Sequence, residues 1–329
     1  MSTLFLDSFD HYATSGLALK YDSATGAAIS STTPRTGTSK CTLASGSLIK
    51  FISGTFSAPG LGFAVRLTAN PAIETTMVSI SGGGILWSLK VQTDGTLKIY
   101  RAAVLKATIG IAITNNVWYY VEFRASTLID ESFHLRINGT SVAGSTFTAG
   151  TGTSQTVGWA IASVHSSMAI DDLYLFDNLA AADTNQEFIG DCGNYCRLAN
   201  AAGGFSQWTP GPTGGTNFSK VSEASQDGDT SYVETGTANF KDAYQFTDYP
   251  TTETNAAALQ AVLVCKRSNA TGTIGVVAHG GDGVLQTDFG TPADLTAASD
   301  YVFRTWMNSG IFPLLLTDIN AKQWGMRAS

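Results

Sequence analysis

Adjacent carboxylates at Asp171 and Asp172 are the residues of this chain that come nearest to acid–base chemistry. They lie in Met168-Ala169-Ile170-Asp171-Asp172-Leu173-Tyr174-Leu175-Phe176-Asp177, a run of strand formers. Glycoside cleavage by a paired acid and nucleophile needs two carboxyl groups about 5 Å apart that face one cleft. On a strand that geometry belongs to alternate positions, because neighbouring side chains point to opposite faces. An adjacent pair is therefore expected to serve structure, one acid in hydrogen bonds and the other toward solvent or calcium. Asp130-Glu131 meets the same objection.

Calcium is the one metal that the acidic turns raise. Asp227-Gly228-Asp229 and Gly281-Asp282-Gly283 present carboxylates, but neither has the spaced oxygen ligands of a dedicated loop. A Gly-Asp-Gly turn forms without metal. No cofactor is expected, with structural calcium the single candidate. The four histidines, His11, His134, His165 and His279, are isolated in sequence. No Gly-x-Ser-x-Gly elbow, His-Glu-x-x-His pair or Walker loop occurs. A Ser-His-Asp triad could assemble only in space, since triads ignore sequence order. Gly82-Gly83-Gly84, with no helix after it, reads as a hairpin turn rather than a phosphate cradle.

Cys192 and Cys196 stand in Gly190-Asp191-Cys192-Gly193-Asn194-Tyr195-Cys196-Arg197. The pair lacks the second Cys pair or the His residues of a zinc site. The density of Gly and Asn predicts a loop with thiols near the surface. At least one of the two is expected to be oxidised, within the chain or to a partner, once outside a reducing cytoplasm. Cys265, in an apolar strand, is expected to stay reduced. Of six tryptophans, Trp208 in Phe205-Ser206-Gln207-Trp208-Thr209-Pro210 reads as a core or interface anchor. A sugar-stacking role for one or two tryptophans is the alternative.

The elements that must position these residues are strands. Leu61, Phe63, Val65 and Leu67 alternate with period two, and Val117–Arg124 is dense in β-formers. Asp94-Gly95 and Asn138-Gly139 are strong hairpin signals. Turns recur every ~8–12 residues, and no long amphipathic helix appears, which predicts sandwiches or jelly rolls. The Met168-to-Asp177 run is apolar on both parities, as suits a strand buried on both faces. The stretch after it loses all strand pattern. The 329 residues suggest about two domains at roughly 150 residues each. The fold class is all-β, with two tandem β-sandwich domains: residues 1–178, a Gly/Asn/Ala-rich linker at 179–204 that holds Cys192 and Cys196, and residues 205–329.

Charged residues make up 14% of the chain, against about 25% in ordinary soluble domains. The net charge of -7 falls entirely in the second half. No basic stripe exists, which argues against nucleic-acid binding. No apolar segment approaches the ~18 residues that span a bilayer, so membrane insertion is not expected. The N-terminus lacks the basic and apolar regions of a signal peptide, so synthesis in a cytoplasm without general secretory export is expected.

Three stretches resemble the laminin-G-like, concanavalin A-like jelly roll: Asn116-Val117-Trp118-Tyr119-Tyr120-Val121-Glu122-Phe123, Phe133-His134-Leu135-Arg136-Ile137-Asn138-Gly139, and Ile170 to Asp177. The resemblance covers about residues 1–178. It implies that the last stretch pairs with the N-terminal strand at Leu4 to Phe9. With the Trp208 segment, Asp227-Gly228-Asp229-Thr230-Ser231-Tyr232 and the terminal Asp318-Ile319-Asn320…Trp324-Gly325-Met326 run, the chain resembles minor structural proteins of tailed-bacteriophage virions. That resemblance implies a virion part with other virion proteins as partners. The resulting expectation is a non-enzymatic structural component (capsid decoration, neck, tail or fibre-associated) that docks as a homo-oligomer. The alternative is a carbohydrate-binding adhesin that touches a host surface glycan. An envelope-degrading hydrolase is disfavoured by the carboxylate spacing.

Overall fold

The computed structural model describes residues 2–128, 131–145, 153–165, 168–177, 188–212, 214–223, 225–249, 255–267, 272–280, 285–295, 301–307 and 314–328. Asp130, the Gly281-Asp282-Gly283 turn, the His279 side chain and residues 179–187 of the expected linker lie outside what is described. The chain forms two compact units, Met1–Asn194 and Tyr195–Ser329. Both are built from antiparallel strands.

In the first unit the strands are β1 (Ser2–Asp7), β2 (Ser23–Ser30), β3 (Lys40–Phe56), β4 (Pro59–Leu67), β5 (Thr75–Gly82), β6 (Ile85–Val91) and β7 (Thr96–Arg101). They continue as β8 (Val104–Ala112), β9 (Tyr119–Ala125), β10 (Phe133–Ile137), β11 (Thr140–Gly144), β12 (Thr153–Ala162) and β13 (Met168–Asp177). Hydrogen bonding runs continuously in the order β11-β10-β9-β4-β13-β3-β12-β5-β6-β7-β8. The ribbon doubles back on itself as a sandwich, and the long β3 pairs with β13 through Cys41 to Leu43 and with β12 through Ser47 to Phe56. Trp87 of β6 meets Phe133 of β10 with ring centroids 5.6 Å apart. Its indole N–H donates to the Ser126 carbonyl at 2.8 Å. Trp159 of β12 donates to the Gly60 carbonyl of β4 at 3.1 Å. Each indole thus finds the partner that a buried N–H requires while its ring fills the core.

β13 is the central strand, and every residue in it is buried. One edge pairs with β4. The other is shared: Met168 to Ile170 pair with β3, and Leu173 to Asp177 pair with β1. Full burial of each Leu, Ile or Phe here contributes roughly 1.5–3 kcal/mol. Gly62 opposes Tyr174, whose ring lies where a Cβ at position 62 would sit, 2.1 Å from the nearest ring carbon. The hairpins close as their turn residues demand. Asn138 and Gly139 both have positive φ, and Gly95 has φ of 85°.

In the second unit, five strands pair in the order Ala199–Ser206, Lys241–Phe246, Lys322–Ala328, Thr273–Gly280, Leu285–Asp294. Two-stranded ladders join Thr209–Gly211 to Tyr232–Glu234 and Gln260–Cys265 to Val302–Met307. A core of Tyr244, Ile274, Val276, Leu295 and Met326 is lined by half-buried Trp208, Phe218 and Leu263. The stretch 179–204 is divided between the units. Residues 188–194 belong to the first, and Ala199–Ser206 opens the sheet of the second.

Candidate functional site

Asp171 and Asp172 sit where the edge of β13 changes partner. The register against β4 slips there, with Asp171 opposite Ala64 and Tyr174 opposite Gly62. The extra residue is taken up by Asp172 at φ 52°, a left-handed conformation that Asp tolerates better than most residues. This bulge cancels the alternation expected of neighbouring strand residues. Both carboxylates meet the same turn, Arg35-Thr36.

The Arg35 and Thr36 backbone N–H groups donate to Asp171 Oδ2 at 2.8 and 3.3 Å. Asp171 Oδ1 accepts from the Asp172 N–H at 2.9 Å. Arg35 Nη1 donates to Asp172 Oδ2 at 2.7 Å and to the Cys192 carbonyl at 2.9 Å. Asp172 Oδ1 accepts from the Thr36 hydroxyl and, at 2.7 Å, from the Asn194 N–H. Arg35 also reaches Asp191 and lies over the Tyr120 ring at 5.0 Å. The pair is a clasp that fastens Arg35-Thr36 and, through Asn194 and Arg35, residues 191–194 to the central strand. Burial, and after it the Asp172 charge, push the Asp171 carboxyl up to about 8, against the three N–H donors. Burial also raises Asp172, opposed by Thr36, Asn194 and Arg35.

A second tie escaped the sequence reading. Glu122 Oε1 accepts from the Tyr174 hydroxyl at 2.5 Å and from the Gly190 N–H at 2.7 Å. Burial raises its carboxyl above the ordinary range. Phe188 packs on Phe176 at 5.7 Å, in a cluster with Ala64, Tyr120 and Tyr174. Residues 188–194 therefore complete a core rather than merely connect. The available signal was Tyr120, Glu122 and Arg124 on one parity of β9, which marked a strand face that carries charge yet is covered.

Cys192 departs from expectation for the same reason. Its thiol lies 3.1 Å from the Tyr120 hydroxyl, beside that cluster, and burial pushes it up to about 12. Cys196 falls in the other unit, half-buried. All four cysteines are present without a disulfide. Cys265 donates to the Val302 carbonyl at 3.9 Å, and burial pushes it up to about 11. Trp208 donates its indole N–H to the Phe240 carbonyl at 3.0 Å and accepts from Asn217 on its own carbonyl at 2.8 Å. Of the acidic turn, Asp229 is engaged by Lys266 and by the Tyr301 hydroxyl at 2.8 Å, and Asp227 accepts from Ser231. Among the described residues no group of three or more His, Cys, Asp or Glu converges on one point. No described helix is long and apolar enough to cross a membrane.

The outer face of the β3-β12-β5-β6-β7 layer offers a different surface. Phe51, Gly158, Ser81 and Leu86 stand in one cross-strand row, and Ala160, Ser79, Ser88 and Tyr100 in the next. Phe51 is 50% exposed and lies across Gly158, where a Cβ would come within 2.6 Å of its ring. Beside these rows Glu74 accepts from Lys90 at 3.0 Å, Gln92 at 2.8 Å and Tyr100 at 2.9 Å. The face is a floor of small side chains between two aromatic rings, with a charged cluster at one end.

No protein-family model matches the chain, and no curated protein matches it at the level of sequence. Among solved structures it is similar to an endo-β-1,4-glucuronan lyase from the fungus Trichoderma reesei, at 13% identity and TM-score 0.37, over 56% of this chain and 100% of that one. It is similar to the binding domain of Paraclostridial Mosquitocidal Protein 1, at 16% identity and TM-score 0.38, over 54% of this chain and 49% of that one. A carbohydrate esterase of the Shiga toxin-encoding bacteriophage phi24B is similar at 12% identity and TM-score 0.36, over 53% of this chain and 100% of that one.

Proposed function

We propose that the protein is a non-enzymatic component of a tailed-bacteriophage particle, which acts by presenting binding surface to other virion proteins and to further copies of itself. The observation that carries this reading is the state of the acid pair. Asp171 and Asp172 are both fully buried and held by Arg35, Thr36 and Asn194. Carboxylates committed to holding chain segments cannot also reach a substrate, because the clasp would have to open first. The virion setting rests on the sequence resemblance. Particle imaging that locates the protein and counts its copies tests it, and a copy number that follows the particle symmetry is the expected result. Depolymerisation of a polysaccharide by the wild type, lost in Asp172→Asn with the fold retained, would overturn the non-enzymatic reading.

A second reading, a glycan-binding adhesin, is favoured by the outer sheet face. A sugar ring stacks on an exposed aromatic, and its hydroxyls pair with Ser, Tyr and Lys groups such as those around Phe51, Ser81 and Tyr100. A glycan array with wild type, Phe51→Ala and Tyr100→Phe separates the two readings. Binding that both substitutions abolish selects the adhesin, and no binding by the wild type removes it.

A further inference from the structure

A second buried charged centre lies at the end of β1, and neither the clasp nor the sheet face uses it. The Asp7 side chain is 0% exposed and that of Lys20 is 1% exposed, with Nζ 2.9 Å from Asp7 Oδ1. The rings of Phe5 and Tyr12 each have their centroids 5.2 Å from that amine. Asp7 Oδ2 accepts from the Tyr12 hydroxyl and from the Tyr21 hydroxyl at 2.7 Å. Oδ1 accepts from the Phe9 N–H at 3.0 Å. His11 Nε2 is 3.1 Å from the Lys20 amine, while its Nδ1 has no hydrogen-bond partner among the described residues. Burial, and then the Lys20 charge, lower the imidazole to about 3, so the ring rests neutral, and the Lys20 share of that lowering is lifted when the amine gives up its charge. Lys50 donates to the Lys20 carbonyl at 2.9 Å and steadies the turn Leu17–Lys20.

An amine, a carboxyl group, an imidazole and two hydroxyl donors aimed at one carboxyl oxygen are thus held together out of water. We propose that Lys20 and Asp7 condense into an intramolecular amide that joins Lys20 Nζ to Asp7 Cγ and ties β1 to the Leu17–Lys20 turn. Burial disfavours the charged forms, but the Lys20 charge and the tyrosine hydroxyls outweigh it and keep Asp7 a carboxylate at rest, so the reaction proceeds through the minor pair in which one ammonium proton has moved to Oδ1, a neutral amine beside a carboxylic acid. The amine attacks Cγ and forms the N–C bond. Its second proton passes to His11 Nε2, and the negative charge develops on Oδ2 under the Tyr12 and Tyr21 hydroxyls. Collapse restores the carbonyl at Oδ2 and breaks the Cγ–Oδ1 bond. The His11 proton goes to that hydroxyl, which leaves as water. One amide and one water replace one amine and one acid, with no oxidant or activated ester involved. The close, fixed approach supplies the effective concentration that the condensation needs.

Tryptic mapping of the full-length folded protein tests this. Trypsin does not cut after an acylated lysine, so the N-terminal peptide is expected to run through Lys20 to Arg35. It should be lighter than its sequence by one water and yield no backbone fragments between residues 7 and 20. Asp7→Asn should expel ammonia instead and give a product of identical mass to the cross-linked wild type. Lys20→Arg should retain full mass. His11→Ala should slow the appearance of the cross-link by about 10²-fold or more. Ordinary cleavage after Lys20 in the folded wild type, with full mass after prolonged incubation, would overturn the proposal. An unchanged rate in a folded His11→Ala variant would overturn the role given to His11.

Discussion

The first unit buries two acidic centres, and they differ in what surrounds the carboxyl. Asp171 and Asp172 face backbone N–H groups, a hydroxyl and a guanidinium contributed by two distant segments of chain. None of these is a nucleophile at neutral pH, so the groups can only hold. Asp7 faces an amine, an imidazole and two phenols in an aromatic box. The same side chain is an anchor in one place and, in the proposed condensation, the acyl partner of an amine in the other. On this proposal burial alone does not assign a role to an acid. The chemistry of the group opposite decides it.

Four measurements break or sharpen this contrast. Asp172→Ala removes the acceptor for Arg35, Thr36 and Asn194 together and leaves the largely buried guanidinium only the exposed Asp191 and the Cys192 carbonyl. Loss of about 3 kcal/mol is expected in denaturant unfolding, with new proteolytic access to residues 188–194. A loss under about 0.5 kcal/mol would mean that the clasp holds nothing.

The pH trends of the two centres should have opposite signs. Folded Asp171, pushed up to about 8 from an ordinary 3.8, keeps a proton that the unfolded chain has released across that window. The folded state then binds more protons, so this contribution to stability falls as pH rises from about 4 to 8. Asp171→Asn should flatten the fall in a series of unfolding midpoints. Burial would raise Asp7, but Lys20, His11 and the tyrosine hydroxyls outweigh it and hold the carboxyl low. Its contribution is complete above the ordinary carboxylate value and is lost as pH drops through the folded one. Once the amide forms there is no carboxyl to titrate, so the acid limb should be weaker in the wild type than in Lys20→Arg.

Gly62→Ala places a methyl 2.1 Å from the Tyr174 ring and displaces the hydroxyl that Glu122 accepts. A cost of about 1–3 kcal/mol is expected, measured by thermal unfolding. Phe51→Ala should leave stability within about 0.5 kcal/mol, because half of the side chain already faces solvent. Any glycan signal of the wild type should fall in that variant, which separates a binding surface from the two structural centres.

Local pattern made the strands and their hairpins legible. Apolar alternation at Leu61 to Leu67, the two-sided run of β13 and the turns at Asp94-Gly95 and Asn138-Gly139 each depend on a few neighbouring residues, and each forms as read. The all-β class follows from the same local rules. The sites were far less legible. Asp171 and Asp172 were found by type, but their shared orientation comes from a bulge that exists only because β13 changes partners beside them. Cys192 was read as a surface thiol because Gly and Asn surround it in sequence. Its environment is Tyr120, brought from 72 positions away.

Tertiary structure alone decided which charges meet. Arg35 reaches Asp172 across 137 positions and Gly190 reaches Glu122 across 68. Even Lys20 and Asp7, close in sequence, are opposed only because β1 and the Leu17–Lys20 turn pack against one core. Periodicity and turn chemistry determined where this chain is extended and where it reverses, since those are short-range steric and solvation effects. The pairing of buried polar groups depends on which segments pack together, and no short-range rule carries that information.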